Sequence, residues 1–247
     1  MKNRIGEVFT TTEGQKLEIL EYFNCYNCTI KFEDGTILKN REYGDLKKGN
    51  VKNPFFRSVC QVGYLGGYKY VGFKNKQRNK SYQCWRNMIT RCYETSPKYE
   101  PDYKDCKVAD EWHNYQNFAK WWETNYNPTI MQDWHIDKDI LIKGNKIYSP
   151  NNCCFVPSQI NILFIKSDNN RGKYQIGVSK RGRYYISKIS VGDKGIISKT
   201  FKTPELAFDY YKINKEKYIK EMAEKWKNLI ANNVYEALIN YKVEITD

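Results

Sequence analysis

Histidine is scarce in this chain: only His113 and His135 occur among 247 residues. The single C-x-x-C, Cys25 with Cys28, finds no second pair among Cys60, Cys84, Cys92, Cys106, Cys153 and Cys154. A structural zinc site needs a second pair of ligands at sensible spacing, so structural Zn2+ is not expected. No run approaches the roughly 18 apolar residues of a membrane span, so no membrane partner is expected. The opening MKNRIGEVFTTTEG lacks an apolar stretch of the kind that directs secretion. A cytoplasmic setting with free thiols is the reading that follows.

Aromatic side chains and positive charge are abundant. Aromatics make up 15% of the chain, with 21 Tyr, which argues for a folded protein rather than a disordered one. The formal net charge is +13, and such an excess points to a polyanionic partner, with duplex DNA the first choice. The alternative is a basic protein whose charges are merely solvated.

The pattern along the chain predicts an α+β fold in three segments. Residues 1–74 carry short β-rich runs, KLEILEYFN, CTIKFEDGT and SVCQVGYLGGYKYVGF, punctuated by glycine turns, and predict a small SH3-like β-barrel. Asp34-Gly35 is a hairpin signal. Lys74 to Lys80, KNKQRNK, reads equally as a phosphate contact and as a solvated hinge. Residues 81–166 begin with two aromatic-rich helices, Tyr82, Trp85, Ile89 and Cys92 on the first, Trp112, Tyr115, Phe118 and Trp122 on the second. These stripes read as core. Pro97 and Pro101 keep the stretch between them non-helical. Two short strands, a loop and a helix capped by Ser158 follow. Residues 167–247 predict a three-stranded sheet, a helix with Thr203 as N-cap and Pro204 in its first turn, and a terminal helix.

Charge is concentrated in that last segment. From Lys166 to Lys202 ten Lys or Arg stand against two Asp, a balance of +8 in 37 residues. Strand alternation applied to RGRYYISK puts Arg181, Arg183, Tyr185 and Ser187 on one face and Tyr184, Ile186 and Lys188 on the other, toward the helix or its edge. A curved sheet offering Arg and aromatic side chains can enter a DNA major groove, where bidentate Arg to guanine is the commonest specific contact.

GVSKRGRYYISKI followed by KTFKTPELAFDYY resembles the ethylene-response-factor (APETALA-like) DNA-binding domain over about 45 residues. The plant pattern's Trp residues in the second and third strands are missing, so base preference does not carry over. The resemblance implies that Arg181, Arg183, Tyr185 and Lys188 face DNA; Lys173 and Lys180, basic residues of the same stretch, are expected to join them in a DNA-binding surface.

WHIDKDILIKGNKIYSPNNCCFVPSQIN resembles the ββα-metal core of HNH (His-Asn-His) endonucleases of phage and mobile-element type. The resemblance implies Mg2+ or another divalent metal held by Asp137 on the first strand and Asn161 on the helix, 24 positions later. Asn151 or Asn152 takes the place of the residue that braces the loop. The general-base position, however, holds Lys138 instead of His, and a charged Lys does not accept a proton. His135, two residues from Asp137 and on the same strand face as it, is the substitute base. Asp139, on that face too, is a further metal ligand, and Lys138 would instead steady a phosphate. The reading is a DNA-binding endonuclease of a bacterial or phage-infected cell, homing- or restriction-like, that nicks or acts as a homodimer. Two rivals stand beside it: a catalytically degenerate DNA-binding regulator, and a counter-defence or protein-interaction factor that uses the Tyr-rich N-terminal segment.

Overall fold

The computed structural model describes residues 3–75, 77–94, 103, 105–165, 173–192, 195–245 and 247. The prolines expected to break the helices, Pro97 and Pro101, and the start of the basic stretch at Lys166 lie outside the described residues. The chain is mixed α+β with several small sheets. It divides into two compact units, Met1–Lys120 and Trp121–Asp247, and the division falls inside the segment 81–166.

Four strands open the first unit: β1 (Val8–Thr10), β2 (Lys16–Asn24), β3 (Asn27–Phe32) and β4 (Ile37–Arg41). They form an antiparallel sheet in sequence order. Alternate residues Leu17 and Ile19 on β2 meet Phe32 and Ile30 on β3, and this pairing makes one apolar face. Asp34-Gly35 does form the β3–β4 hairpin, with Gly35 at φ +88°. The expected SH3-like barrel is not formed, because among the described residues no strand closes the sheet. Leu46 of α1 (Tyr43–Lys47) and Val51 pack into the same apolar cluster, so a helical turn covers the face that a barrel would cover with strands.

The run SVCQVGYLGGYKYVGF is also less extended than expected. Ahead of Phe73, its last residue, only isolated bridges, Val59 to Gly63 and Tyr64 to Asn114, interrupt its loops. Cys60, Gln61, Gly66 and Gly67 all hold positive φ, which ends extension at both places. A short hairpin follows, β5 (Phe73–Lys74) and β6 (Gln77–Arg78). Then α2 (Lys80–Tyr93) buries Trp85, Met88 and Ile89 at helical spacing. After β7 (Lys107–Val108) and a 3-10 turn at Asp110–His113 comes α3 (Tyr115–Asn125), which buries Tyr115, Phe118 and Ala119. The Trp85 indole donates to the Trp112 carbonyl at 2.7 Å. The aromatic stripes are core, as their spacing suggested.

In the second unit β8 (Trp134–Asp137), β9 (Ile147–Tyr148), β10 (Cys154–Pro157) and α4 (Ser158–Asn161) follow in chain order. β8 and β10 pair antiparallel, with Asp137 opposite Cys154 and His135 opposite Val156. Ser158, expected as the cap, is the first helical residue, and no side chain caps this turn. A second, separate sheet contains β11 (Val178–Arg181), β12 (Tyr184–Ser190) and β13 (Ile196–Phe201), in that order. It leads into α5 (Pro204–Trp226) and α6 (Asn232–Ile239). The Thr203 hydroxyl accepts from the Leu206 amide at 3.3 Å, and Pro204 fills the first turn.

The long helix α5 serves two cores. Ala207, Phe208 and Tyr211 in its first half pack with Val178, Ile189 and Val191 of the three-stranded sheet region. Ile219, Met222 and Ala223 in its second half pack with Trp134, Phe155, Val156 and Ile160 of the strand–strand–helix part, and with Val234 and Leu238 of α6. One helix therefore holds both parts of this unit in register. No helix among the described residues is long and apolar enough to cross a membrane.

Candidate active site and nucleic-acid interface

Three of the side chains singled out in the sequence are carried by β8 and α4. His135 is exposed on β8, and its Nδ1 lies 3.3 Å from Nδ2 of Asn161. Residues 26 positions apart in the chain, one on a strand and one on a helix, are thus drawn to one place by the β10–α4 connection. Asp137 shares the strand face of His135 by alternation. Its carboxylate Oδ1 accepts from the backbone amides of Asp139 and Ile140, each at 2.7 Å. These two bonds turn the chain sharply at the end of the strand. Burial pushes the Asp137 carboxyl above the ordinary carboxylate range, against the pull of those amides, and the negative charge of Asp139 pushes the same way. The Cys154 thiol opposite is also pushed up, by burial first and then by Asp137.

The turn changes the place of two further residues. β8 ends at Asp137, so alternation stops there and Asp139 is not aligned on the same strand face. Its carboxylate takes the ammonium of Lys138 instead. Lys138 itself is 8% exposed and stands 5.7 Å from the Tyr148 ring centroid. A buried ammonium engaged by a carboxylate is not presented to a phosphate, and it is no base. Lys138 and Asp139 thus form an ion pair within the loop.

The brace of the loop is Asn145, which the sequence reading missed. Its amide Nδ2 donates to the carbonyls of Lys138 at 2.8 Å and Ile147 at 2.7 Å. Its Oδ1 accepts from the Ile147 amide and from Nδ2 of Asn152 at 3.3 Å. Asn152 thus braces through Asn145, while Asn151 is exposed. The available signal was Gly144-Asn145: Gly144 sits at φ +77°, where an Asn side chain following a turn can bond the local backbone.

A desolvated carboxylate beside a second acid is a place where a cation lowers the energy, and the oxygens of Asp137 and Asn161 are the hard donors that Mg2+ prefers. The residues fit such an ion in chemistry. Among the described residues no three His, Cys, Asp or Glu side chains gather as a metal cluster, and the donor set here relies on an amide.

The basic sheet has two faces, and the structure inverts the expected one. Tyr185, Ser187 and Ile189 face α5: Ile189 is buried, Ser187 is fully buried, and Tyr185 packs against the core with its ring 5.2 Å from that of Tyr174. The open face carries Tyr184, Ile186 and Lys188. The reason is the turn. Gly182, at φ +61°, and Arg183 form a two-residue loop, so Arg181 pairs directly with Tyr184 and the two share a face. Alternation cannot be counted through such a loop. Lys180, paired with Tyr185, belongs to the helix-side face, its ammonium 5.8 Å from that ring. Arg181 and Lys188 belong to the open face, across from Tyr184 and Ser198. Arg183 projects from the loop with its guanidinium 5.8 Å from the Tyr184 ring, and Lys173 is exposed ahead of β11.

Comparison with protein-family models, with curated proteins and with solved structures finds no match to this chain.

Proposed function

We propose that the chain is a DNA-binding endonuclease that hydrolyses a phosphodiester of duplex DNA with the help of a divalent metal, Mg2+ or a close substitute. The observation that carries this reading is the meeting of His135 and Asn161 at 3.3 Å, on the strand that also holds the half-buried Asp137. Asp137 and Asn161 would hold the ion. When bound, it would supply charge stabilisation for the phosphate and for the departing oxygen.

The protein's own residues have defined tasks in this scheme. Asp137 is aimed by the two amides at its Oδ1, and Asn145 and Asn152 keep the loop in shape behind it. His135 would take the proton from the attacking water. For its Nε2 to be the base, Nδ1 must carry the ring proton and donate to the Asn161 amide oxygen, which is the flipped orientation of that amide. The amide oxygen has two lone pairs and can serve the ring and a metal together. Lys138 and Asp139 hold the loop as an internal ion pair.

Delivery to DNA would fall to the open face of the three-stranded sheet, with Arg181, Tyr184 and Lys188, and to Arg183 in the adjoining loop. Tyr185 supports that face from beneath. One such site cuts one strand, so the chain would nick, or cut both strands as a dimer.

The test is plasmid nicking with Mg2+ or Mn2+. The wild type should relax supercoiled DNA, while Asp137→Ala and His135→Ala should not. One observation favours a second reading: the general-base position of the resembled nucleases is filled by a buried, ion-paired Lys138. If the wild type binds duplex DNA and never cuts with either metal, the chain is a DNA-binding regulator on a silent scaffold.

A further inference from the structure

A second concentration of positive charge lies in the first unit, and nothing in the reading above uses it. Between Asp45 and Glu94, residues 46–93 contain 11 Lys or Arg and no acidic residue. That gap is denser in unopposed charge than chance spacing in a chain with 28 acids would leave.

The same stretch exposes apolar rings. Tyr68 is 49% exposed and Phe73 is 53% exposed, with Val71 between them. Each ring has a cation beside it. The Arg41 guanidinium lies 5.8 Å from the Tyr68 ring, Lys69 lies 5.1 Å from the Tyr70 ring, and Arg78 lies 5.7 Å from the Phe73 ring.

The backbone that presents them is pinned. The Gln116 side chain accepts from the Tyr70 amide and donates toward the carbonyls of Leu65, Gly67 and Tyr70 at 2.9–3.2 Å. The Tyr68 hydroxyl donates to the Lys52 carbonyl at 3.1 Å. The neck of the β5–β6 hairpin closes through the Asn79 amide to the Gly72 carbonyl at 2.9 Å. Gly72 lies so close to the Tyr82 ring that a Cβ would meet it at 3.0 Å. A rigid loop that keeps rings and cations in water has nothing to gain in folding from that exposure, and it matches what an extended phosphodiester strand needs. Bases stack on rings whatever their sequence, and phosphates track the cations.

We propose that Tyr68, Lys69, Phe73 and Arg78, on this loop and the two strands of the hairpin, are a binding surface for single-stranded nucleic acid, distinct from the duplex-docking sheet of the second unit. Phe73 and Tyr68 are the stacking platforms, and Lys69 and Arg78 are the phosphate contacts.

The experiment is fluorescence anisotropy of the full chain with labelled oligothymidylate at low salt. The wild type should bind. Phe73→Ala and Arg78→Gln should each weaken binding by roughly fivefold or more. The double variant Lys16→Gln, Lys31→Gln changes the same unit's charge away from the stretch and should bind as the wild type does. Arg181→Ala should leave this binding intact while weakening duplex binding. Absence of oligothymidylate binding overturns the proposal, as does equal loss in the Lys16/Lys31 variant or equal competition by polyglutamate, the acidic-protein alternative. Each of those results leaves duplex docking by the sheet standing. Oligothymidylate binding without duplex binding would remove the sheet reading and keep this one.

Discussion

Asp137 combines two demands that pull against each other. Its Oδ1 is needed to turn the chain, and its charge is disfavoured by burial. A folded-state pKa raised above the unfolded value means that folding is assisted below the unfolded pKa, and that this assistance is lost as pH rises through the folded pKa. Asp137→Asn keeps an oxygen for the two amides and removes the charge. It should therefore stabilise the metal-free protein at neutral pH, and the difference should vanish in acid, below the ordinary Asp range. Thermal unfolding of both proteins across pH checks this, and a variant less stable than wild type at neutral pH would contradict it. Lys138 is expected to act on stability alone. Lys138→Met should change stability by no more than about 1 kcal/mol by denaturant unfolding, because the Asp139 carboxylate it leaves behind is 43% exposed and stays hydrated. Nicking per folded molecule should stay unchanged, and a large loss would return Lys138 to the chemistry. Asp137 and Asn161 came to notice through the resemblance to the ββα-metal core, and the strand–loop–helix order expected there is present as β8, β10 and α4. The partner of Lys138 and the role of Asn145 were not legible in the sequence, because hydrogen bonds inside a loop depend on how the backbone turns after Asp137.

The three-stranded sheet shows how a short turn redirects an element. Each strand was visible as a basic, β-rich run between glycines, and the helix start was visible in Thr203 and Pro204. What could not be counted was the phase across Gly182-Arg183, where two residues close the hairpin and Arg181 faces the same way as Tyr184. The corrected faces make a prediction. Arg181→Ala and Lys188→Ala should each weaken duplex binding, by about 1–3 kcal/mol where a base edge is contacted, with unchanged thermal stability. Tyr185→Ala should instead lower the unfolding temperature, because its ring packs between the sheet and the helix. Thr203→Ala should cost about 1 kcal/mol through the lost cap. A Tyr185 variant with full stability and lost binding would restore the opposite face.

Across the chain, the net charge of +13 is carried by stretches in both units. Duplex binding should therefore fall steeply with salt, with a slope of log affinity against log salt of about −0.9 for each phosphate neutralised. Removing Arg181 and Lys188 together should make that slope shallower by nearly two. A slope unchanged by the pair would mean that neither touches a phosphate. Helix α5 ties the strand–strand–helix part to the basic sheet by packing into both cores. Met222→Ala, in the core of the strand–strand–helix part, should cost about 2–5 kcal/mol, and loss of the far-ultraviolet signal and of the tertiary signal of the sheet should coincide.

Composition and spacing by themselves determined the charge, the helical aromatic stripes, the hairpin at Asp34-Gly35 and the capped start of α5. These rest on local preferences: helical and strand periodicity, turn chemistry and side-chain capping. Tertiary structure alone decided that the first sheet stays open under Leu46 and Val51, that Lys138 is an internal ion, and that Tyr185 faces inward. Those outcomes turn on which apolar surface is covered first and on how loops fold back, and both depend on residues far apart in the chain.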